Sequence, residues 1–249
     1  MSRVGTDDLS VAYGNVLALD GVTIDVPSGT SVAIIGPNGC GKSTLLKTLA
    51  GIVAPTSGTV QVEGRPAMVL QSTDVDKSVP ITVRDAVAMG RYATLGPLRR
   101  FRPADWATIH AAMNRLAIDD LSDRPIHHLS GGQRQRVLVA QGLTQEAPAL
   151  LLDEPLTGLD VASRSIILDV LDEEKLGGRT MIMSTHNFQD AQRCDLVLLL
   201  ATRAIAFGTP DEVLTEQRLQ EAFGGHFVRI GSTLLLSDPH HDDTHDDAR

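Results

Sequence analysis

The run GPNGCGKS, residues 36–43, lies between TSVAII at 30–35 and KSTLLKTLA at 42–50. The first flank is a β-branched apolar run and the second has helical spacing, so the glycines fall at a strand-to-helix turn. Gly36, Gly39 and Gly41, with Pro37, Asn38 and Cys40 between them, let the backbone wrap closely around an anion at a helix N-terminus. Lys42 adds a positive charge for the β and γ oxygens of a nucleotide, and Ser43, followed by Thr44, offers a hydroxyl to Mg²⁺. The spacing G-x-x-x-x-G-K-[ST] in this setting predicts a phosphate loop. Cys40 reads first as a small filler; a helix N-terminus that lowered its thiol pKa would also make it an alkylation target.

Outward from this turn, further strand-like runs fall at 22–26, 59–63, 67–70, 150–153, 180–184, 196–200 and 204–207. Helical patterns occupy 83–89, 103–116, 131–143, 162–174 and 211–223. Strands alternating with helices predict an α/β fold with a parallel sheet. Composition agrees. The 249 residues are 42% hydrophobic but include only two Tyr, five Phe and one Trp, so the core must be aliphatic, as suits strands covered by helices on both faces. The segment around 74–126 is mostly helical and reads as an inserted subdomain.

Net charge is −9, and the tail DPHHDDTHDDAR carries five Asp against one Arg, leaving the remainder only mildly acidic. That balance argues against a nucleic-acid partner. The basic loop bearing Tyr92, Arg99, Arg100, Phe101 and Trp106 could stack on RNA, but its flanks are not basic. Cys40 and Cys194 lack metal or redox spacing, which fits a reducing compartment. No apolar leader opens the chain and no run reaches the roughly 20 residues needed to span a bilayer. A soluble protein is expected, one that works at a membrane only through a partner. The tail beyond Ser237 is expected to be disordered; its His240, His241 and His245 could bind a metal, although a solvated acidic tail is the simpler reading.

Two more strands carry chemistry at their ends. ALLLDEP closes on Asp153 and Glu154; beside a phosphate loop these suit Mg²⁺ coordination through water and polarisation of an attacking water. Alone, such a pair would simply mark a turn before Pro155. TMIMST leads to His186, which could donate to a γ-phosphate oxygen. A second anion site is written in HHLSGGQRQR, residues 127–136, where Ser130 and Gln133 have the form of a capping box around Gly131 and Gly132. Within a single chain, this open helix N-terminus is redundant beside a complete phosphate loop.

In order, the phosphate loop, Gln71 after AMVL, LSGGQ, LLLDEP, GLD and STH resemble the nucleotide-binding subunit of ABC transporters, over about residues 5–225. LSGGQ separates this family from other phosphate-loop ATPases. The resemblance implies a phosphate-loop NTPase core of ABC ATPase type at about 1–73 and 149–237, a helical subdomain at about 74–148, an antiparallel β part, and a tail at 238–249. It further implies that Tyr13 stacks on adenine, that Gln71 senses Mg²⁺ and the attacking water, and that His186 holds the γ-phosphate. Ser130, Gly131, Gly132 and Gln133 would form a signature loop facing ATP on a second copy of the chain, and Asp160 would reach across to that copy. Partners implied are a second copy, an integral membrane permease and, indirectly, a substrate-binding protein, with the chain peripheral to the cytoplasmic face.

The stretch VLQSTDVDKSVPITVRDAVAMGRY, followed by LGPLRRFRPAD, is similar to subunits of importers for zinc, manganese or iron, and also to those for siderophores and cobalamin. A lone cassette argues against translation-associated ATPases, which usually carry two. The short interval between Ser43 and Ser130, without sustained heptads, argues against chromosome or DNA-repair ATPases.

Overall fold

A computed structural model describes residues 3–70, 81–96, 99–224, 226–230 and 233–237. Its strands are β1 (Val4–Tyr13), β2 (Val16–Val26), β3 (Ser31–Ile35), β4 (Ser57–Val62), β5 (Ala67–Val69), β6 (Ala149–Leu152), β7 (Thr180–Ser184), β8 (Leu196–Ala201), β9 (Arg203–Gly208), β10 (His226–Ile230) and β11 (Thr233–Ser237). Its helices are α1 (Lys42–Leu49), α2 (Val83–Leu95), α3 (Pro103–Arg115), α4 (Gly131–Leu143), α5 (Val161–Leu176), α6 (Phe188–Gln192), α7 (Pro210–Val213) and α8 (Glu216–Phe223).

Six strands form the central sheet in the order β5-β6-β7-β3-β8-β9, parallel except for β9 at the edge. The inner strands are mostly apolar because both faces are covered, with Ser31, Thr180 and Ser184 at their ends. Val32 and Ile34 of β3 point into a core shared with α1 and the antiparallel sheet β2-β1-β4, whereas Ala33 and Ile35 point into a core shared with α2 to α5. This period-2 division places one three-layer stack around the sheet. Parallel pairing also aligns strand ends. The phosphate loop after β3, the segment after β7 and the carboxylates after β6 emerge side by side at one edge, where α/β sheets build their sites.

The helices of the second core meet closely. Helix α2 continues past Gly90 to Leu95 instead of stopping near 89, because Gly90 is where α4 crosses it: a Cβ there would lie 2.2 Å from both Gln141 O and Thr144 Oγ1. Arg91, buried beside that crossing, donates to Asp105 at 2.7 Å, to Glu146 and to Thr144 O, joining α2, α3 and the end of α4. Arg115 ties α3 to Glu173 and Glu174 of α5. Tyr92, Phe101 and Trp106 pack on one another at 4.8 and 5.4 Å.

Sequence patterning misses β1, which runs through Asp7 and Asp8, changes register against β2 at several points and holds Asp8 at φ 48°. The pattern expected as one helix over 211–223 divides at Leu214, where ψ turns to 54°, and restarts behind Thr215. The β10–β11 hairpin was likewise not anticipated. The expected tail, 238–249, lies outside the described residues.

Candidate nucleotide site

The phosphate loop follows β3 without a break. Its first glycine is required by packing, since a Cβ at Gly36 would stand 1.9 Å from Leu200 O and 2.7 Å from Cys40 Sγ. Gly41 is required twice, by its φ of 102° and by Ala18 O, 2.4 Å from where a Cβ would lie. Lys42 is 7% exposed, and its Nζ donates to the carbonyls of Gly36 at 2.8 Å and Pro37 at 3.0 Å, bending the ammonium back over the loop. Asn38, Gly39, Gly41, Lys42, Ser43, Thr44 and Glu154 line one cavity of about 190 Å³. Cys40 is buried beneath it among Leu45 and Leu46. Burial raises its thiol pKa, outweighing the attraction of Lys42, which favours the small-filler reading over the alkylation target.

The two carboxylates are set by the neighbouring strand. Asp153 is buried, its N–H held by Val69 O at 2.9 Å, and the Ser184 hydroxyl donates to its Oδ1 at 2.7 Å. The same hydroxyl accepts the Glu154 N–H at 2.9 Å. Glu154 adopts φ 46°, a left-handed conformation unusual for a residue with a side chain, and it is this turn that brings it to the cavity wall. His186 Nδ1 lies 3.9 Å from Glu154 Oε2, too far for a hydrogen bond but close enough to share a small ligand.

Among the described residues no cluster of three or more His, Cys, Asp or Glu could hold a metal. Of the expected metal ligands among the described residues, Ser43 lines the cavity, whereas Asp153 is not in its lining and has Oδ1 bonded by Ser184. A hydroxyl and a carboxylate are the hard oxygens a small cation would use, together with phosphate and water. That donor set suits Mg²⁺.

Ser130 and Gln133 make the expected reciprocal cap on α4: Ser130 Oγ accepts the Gln133 N–H at 3.2 Å, and Gln133 Oε1 accepts the Ser130 N–H at 3.0 Å. Ser130 and Gly131 are exposed, and a Cβ at Gly131 would meet nothing within 4 Å. None of the residues at 130–133 lines the phosphate-loop cavity of its own chain. Gly132, by contrast, is covered by Asp160 Oδ2 and Ser163 Oγ, which a Cβ would approach to 2.6 and 2.5 Å. Asp160 caps α5 through the Ser163 N–H at 2.8 Å, and that bond, before all else, lowers its pKa. Tyr13, at the end of β1, is half exposed. Gln71 lies outside the described residues.

Sequence reading missed Ser184 and the Arg164–Asp190 ion pair between α5 and α6. Ser184 could have been found only by knowing that β6 and β7 are neighbours; each motif in isolation gives no sign of it.

A parallel sheet, a glycine loop closed by a buried lysine and a carboxylate pair on the neighbouring strand define a phosphate-loop nucleotide hydrolase. The family model for ABC transporters matches residues 19–157, which span the loop, the α4 cap and both carboxylates. The manganese transport system ATP-binding protein MntB of Bacillus subtilis (strain 168) is 38% identical over 94% of this chain and 98% of its own. The zinc transport system ATP-binding protein TroB of Treponema pallidum (strain Nichols) is 41% identical over 93% and 90%. Among solved structures, a metal-chelate type ABC transporter in an inward-facing conformation is 28% identical with a TM-score of 0.82, covering 95% of this chain and 96% of its own. The chain belongs to the ABC transporter family and is an ATP-hydrolysing subunit of it.

Proposed function

We propose that this chain powers the import of a divalent metal ion, manganese, zinc or iron, through a separate membrane permease. The observation that carries the reading is the division of anion-binding elements: Lys42 and Glu154 share one cavity, while the capped, open N-terminus of α4 faces elsewhere. Two copies arranged head to tail would close each cavity with the partner's Ser130, Gly131 and Gly132, and the α4 dipole would favour the γ-phosphate. Tyr13 would hold the adenine from the end of β1.

Within the closed pair, Lys42 balances charge on the β and γ oxygens. Mg²⁺, when bound by Ser43, Asp153 and Gln71, supplies further charge neutralisation. Glu154 accepts a proton from the attacking water, and His186 donates to the γ-phosphate. Product release weakens the closure, and opening moves the permease. The helical subdomain at 74–148 would dock on that permease, at the cytoplasmic face. No helix among the described residues is long and apolar enough to cross a membrane.

Relatives named for manganese and zinc transport support the metal reading. A siderophore transport ATP-binding protein of Bacillus subtilis, 37% identical over 90% of this chain, supports a second cargo class, an iron–siderophore chelate, with haem or cobalamin as related alternatives that this name does not itself support. Uptake of labelled Mn²⁺, Zn²⁺ and Fe²⁺, against labelled ferric siderophore, by vesicles carrying the chain and its co-purified permease separates them. ATP-dependent accumulation of a free ion supports the proposal, and accumulation of the chelate alone rejects it.

A further inference from the structure

We infer that Arg164 and Asp190 form a positioning pair that sets His186 against Glu154. Arg164 lies in the first turn of α5, one residue beyond Ser163, which with Asp160 covers Gly132 of α4. Its guanidinium pairs with Asp190 on α6, whose side chain is 2% exposed. The other oxygen of Asp190 accepts from the Thr185 hydroxyl at 3.4 Å, and that hydroxyl accepts the Asn187 N–H at 3.0 Å. Thr185 is buried and its N–H is held by Ile34 O of β3 at 3.0 Å. His186 is the single residue between Thr185 and Asn187. Its own ring is largely exposed and lies 3.9 Å from Glu154, beyond hydrogen-bond reach. The direction of the ring is therefore set by the turn beneath it, and the turn by Asp190.

A buried carboxylate calls for a cation to answer it, because leaving it unpaired is costly. Arg164 is that cation, and it stands on the helix whose N-terminus also abuts α4. Any movement of α5 relative to the sheet would be carried to His186 through this pair. The carboxylate of Asp190 thus connects the α4–α5 contact to the histidine segment over a chain of direct contacts.

The inference rests on the proposed contact of His186 with the γ-phosphate, and a double-mutant cycle separates the two. Arg164→Ala, His186→Ala and the double variant are compared for ATP affinity and for steady-state turnover. Arg164→Ala is expected to leave ATP affinity unchanged and to lower kcat about 10- to 100-fold, the size of effect of a misplaced reacting group. In the His186→Ala background the same substitution is expected to change kcat less than about twofold, since nothing is left for it to position. Equal losses in both backgrounds, or a loss of ATP affinity that accounts for the rate, overturns the pair's role. Full turnover in His186→Ala alone overturns the histidine reading instead. If Arg164→Ala does not fold, Arg164→Lys, which keeps charge without the planar fork, enters the same cycle: a loss confined to the His186 background supports the pair, and an equal loss in both rejects it.

Discussion

The Ser184 hydroxyl donates to Asp153 at 2.7 Å while accepting the Glu154 N–H at 2.9 Å, so one buried side chain of β7 holds the Asp153 carboxylate and the backbone of Glu154 just past the end of β6. Ser184→Ala leaves a backbone N–H and a buried carboxylate oxygen without this partner. It should cost about 1–3 kcal/mol of stability and lower kcat, measured by denaturant unfolding and steady-state turnover. Unchanged values of both would show that the hydroxyl is not needed.

Glu154→Gln keeps the shape of the side chain and removes its basicity. Turnover should fall about 100- to 10,000-fold while ATP affinity is kept, and the ATP-bound form should accumulate as a stable dimer. Turnover at the wild-type rate would remove Glu154 from its role.

Gly36→Ala forces a methyl group to within 1.9 Å of Leu200 O, a strand carbonyl that cannot retreat. Loss of ATP binding with a lower Tm is expected, read by titration with a fluorescent nucleotide and by thermal unfolding. Normal affinity in that variant would contradict the tight seating of the loop.

Asp105 is held below the ordinary carboxylate range first by the N–H of Arg102 and then by the Arg91 guanidinium. A depressed native pKa contributes stability above the unfolded value of about 4, and that contribution is lost as pH falls through the native one. The Tm advantage of wild type over Asp105→Asn should therefore be full at neutral pH and shrink below about pH 4. An advantage that grows on acidification would contradict the sign.

Neither cysteine should react in the folded protein. Burial raises the Cys40 thiol, and Cys194 is pushed up to about 12, chiefly by burial and secondarily by Asp195. Iodoacetamide at neutral pH should label both only after unfolding. Rapid labelling of native Cys40 would restore the alkylation reading.

What was legible in the sequence was local. The strand, glycine loop and helix around Lys42 are contiguous, and the cap linking Ser130 to Gln133 spans three residues, so their chemistry could be read in place. Order along the sheet could not. That β6 pairs with β7, placing Ser184 under Asp153, and that α5 meets α6 through Arg164 and Asp190, depends on contacts remote in the chain. Strand β1 was obscured for a different reason: its irregular register destroys the alternation by which a strand is recognised.

In the proposed pair, α4 of one copy completes the cavity of another. Lys42→Ala disables a chain's own phosphate loop, and Ser130→Arg disables only the surface it lends to a partner. Each variant alone should be inactive, although Ser130→Arg should still bind ATP as a monomer. When the two are mixed and co-assembled, half of the sites in each mixed pair are intact, one with wild-type Lys42 from one chain and wild-type Ser130 from the other. Steady-state ATP turnover should therefore return on mixing. Turnover that stays at the level of the separate variants, although mixed pairs form, would contradict it.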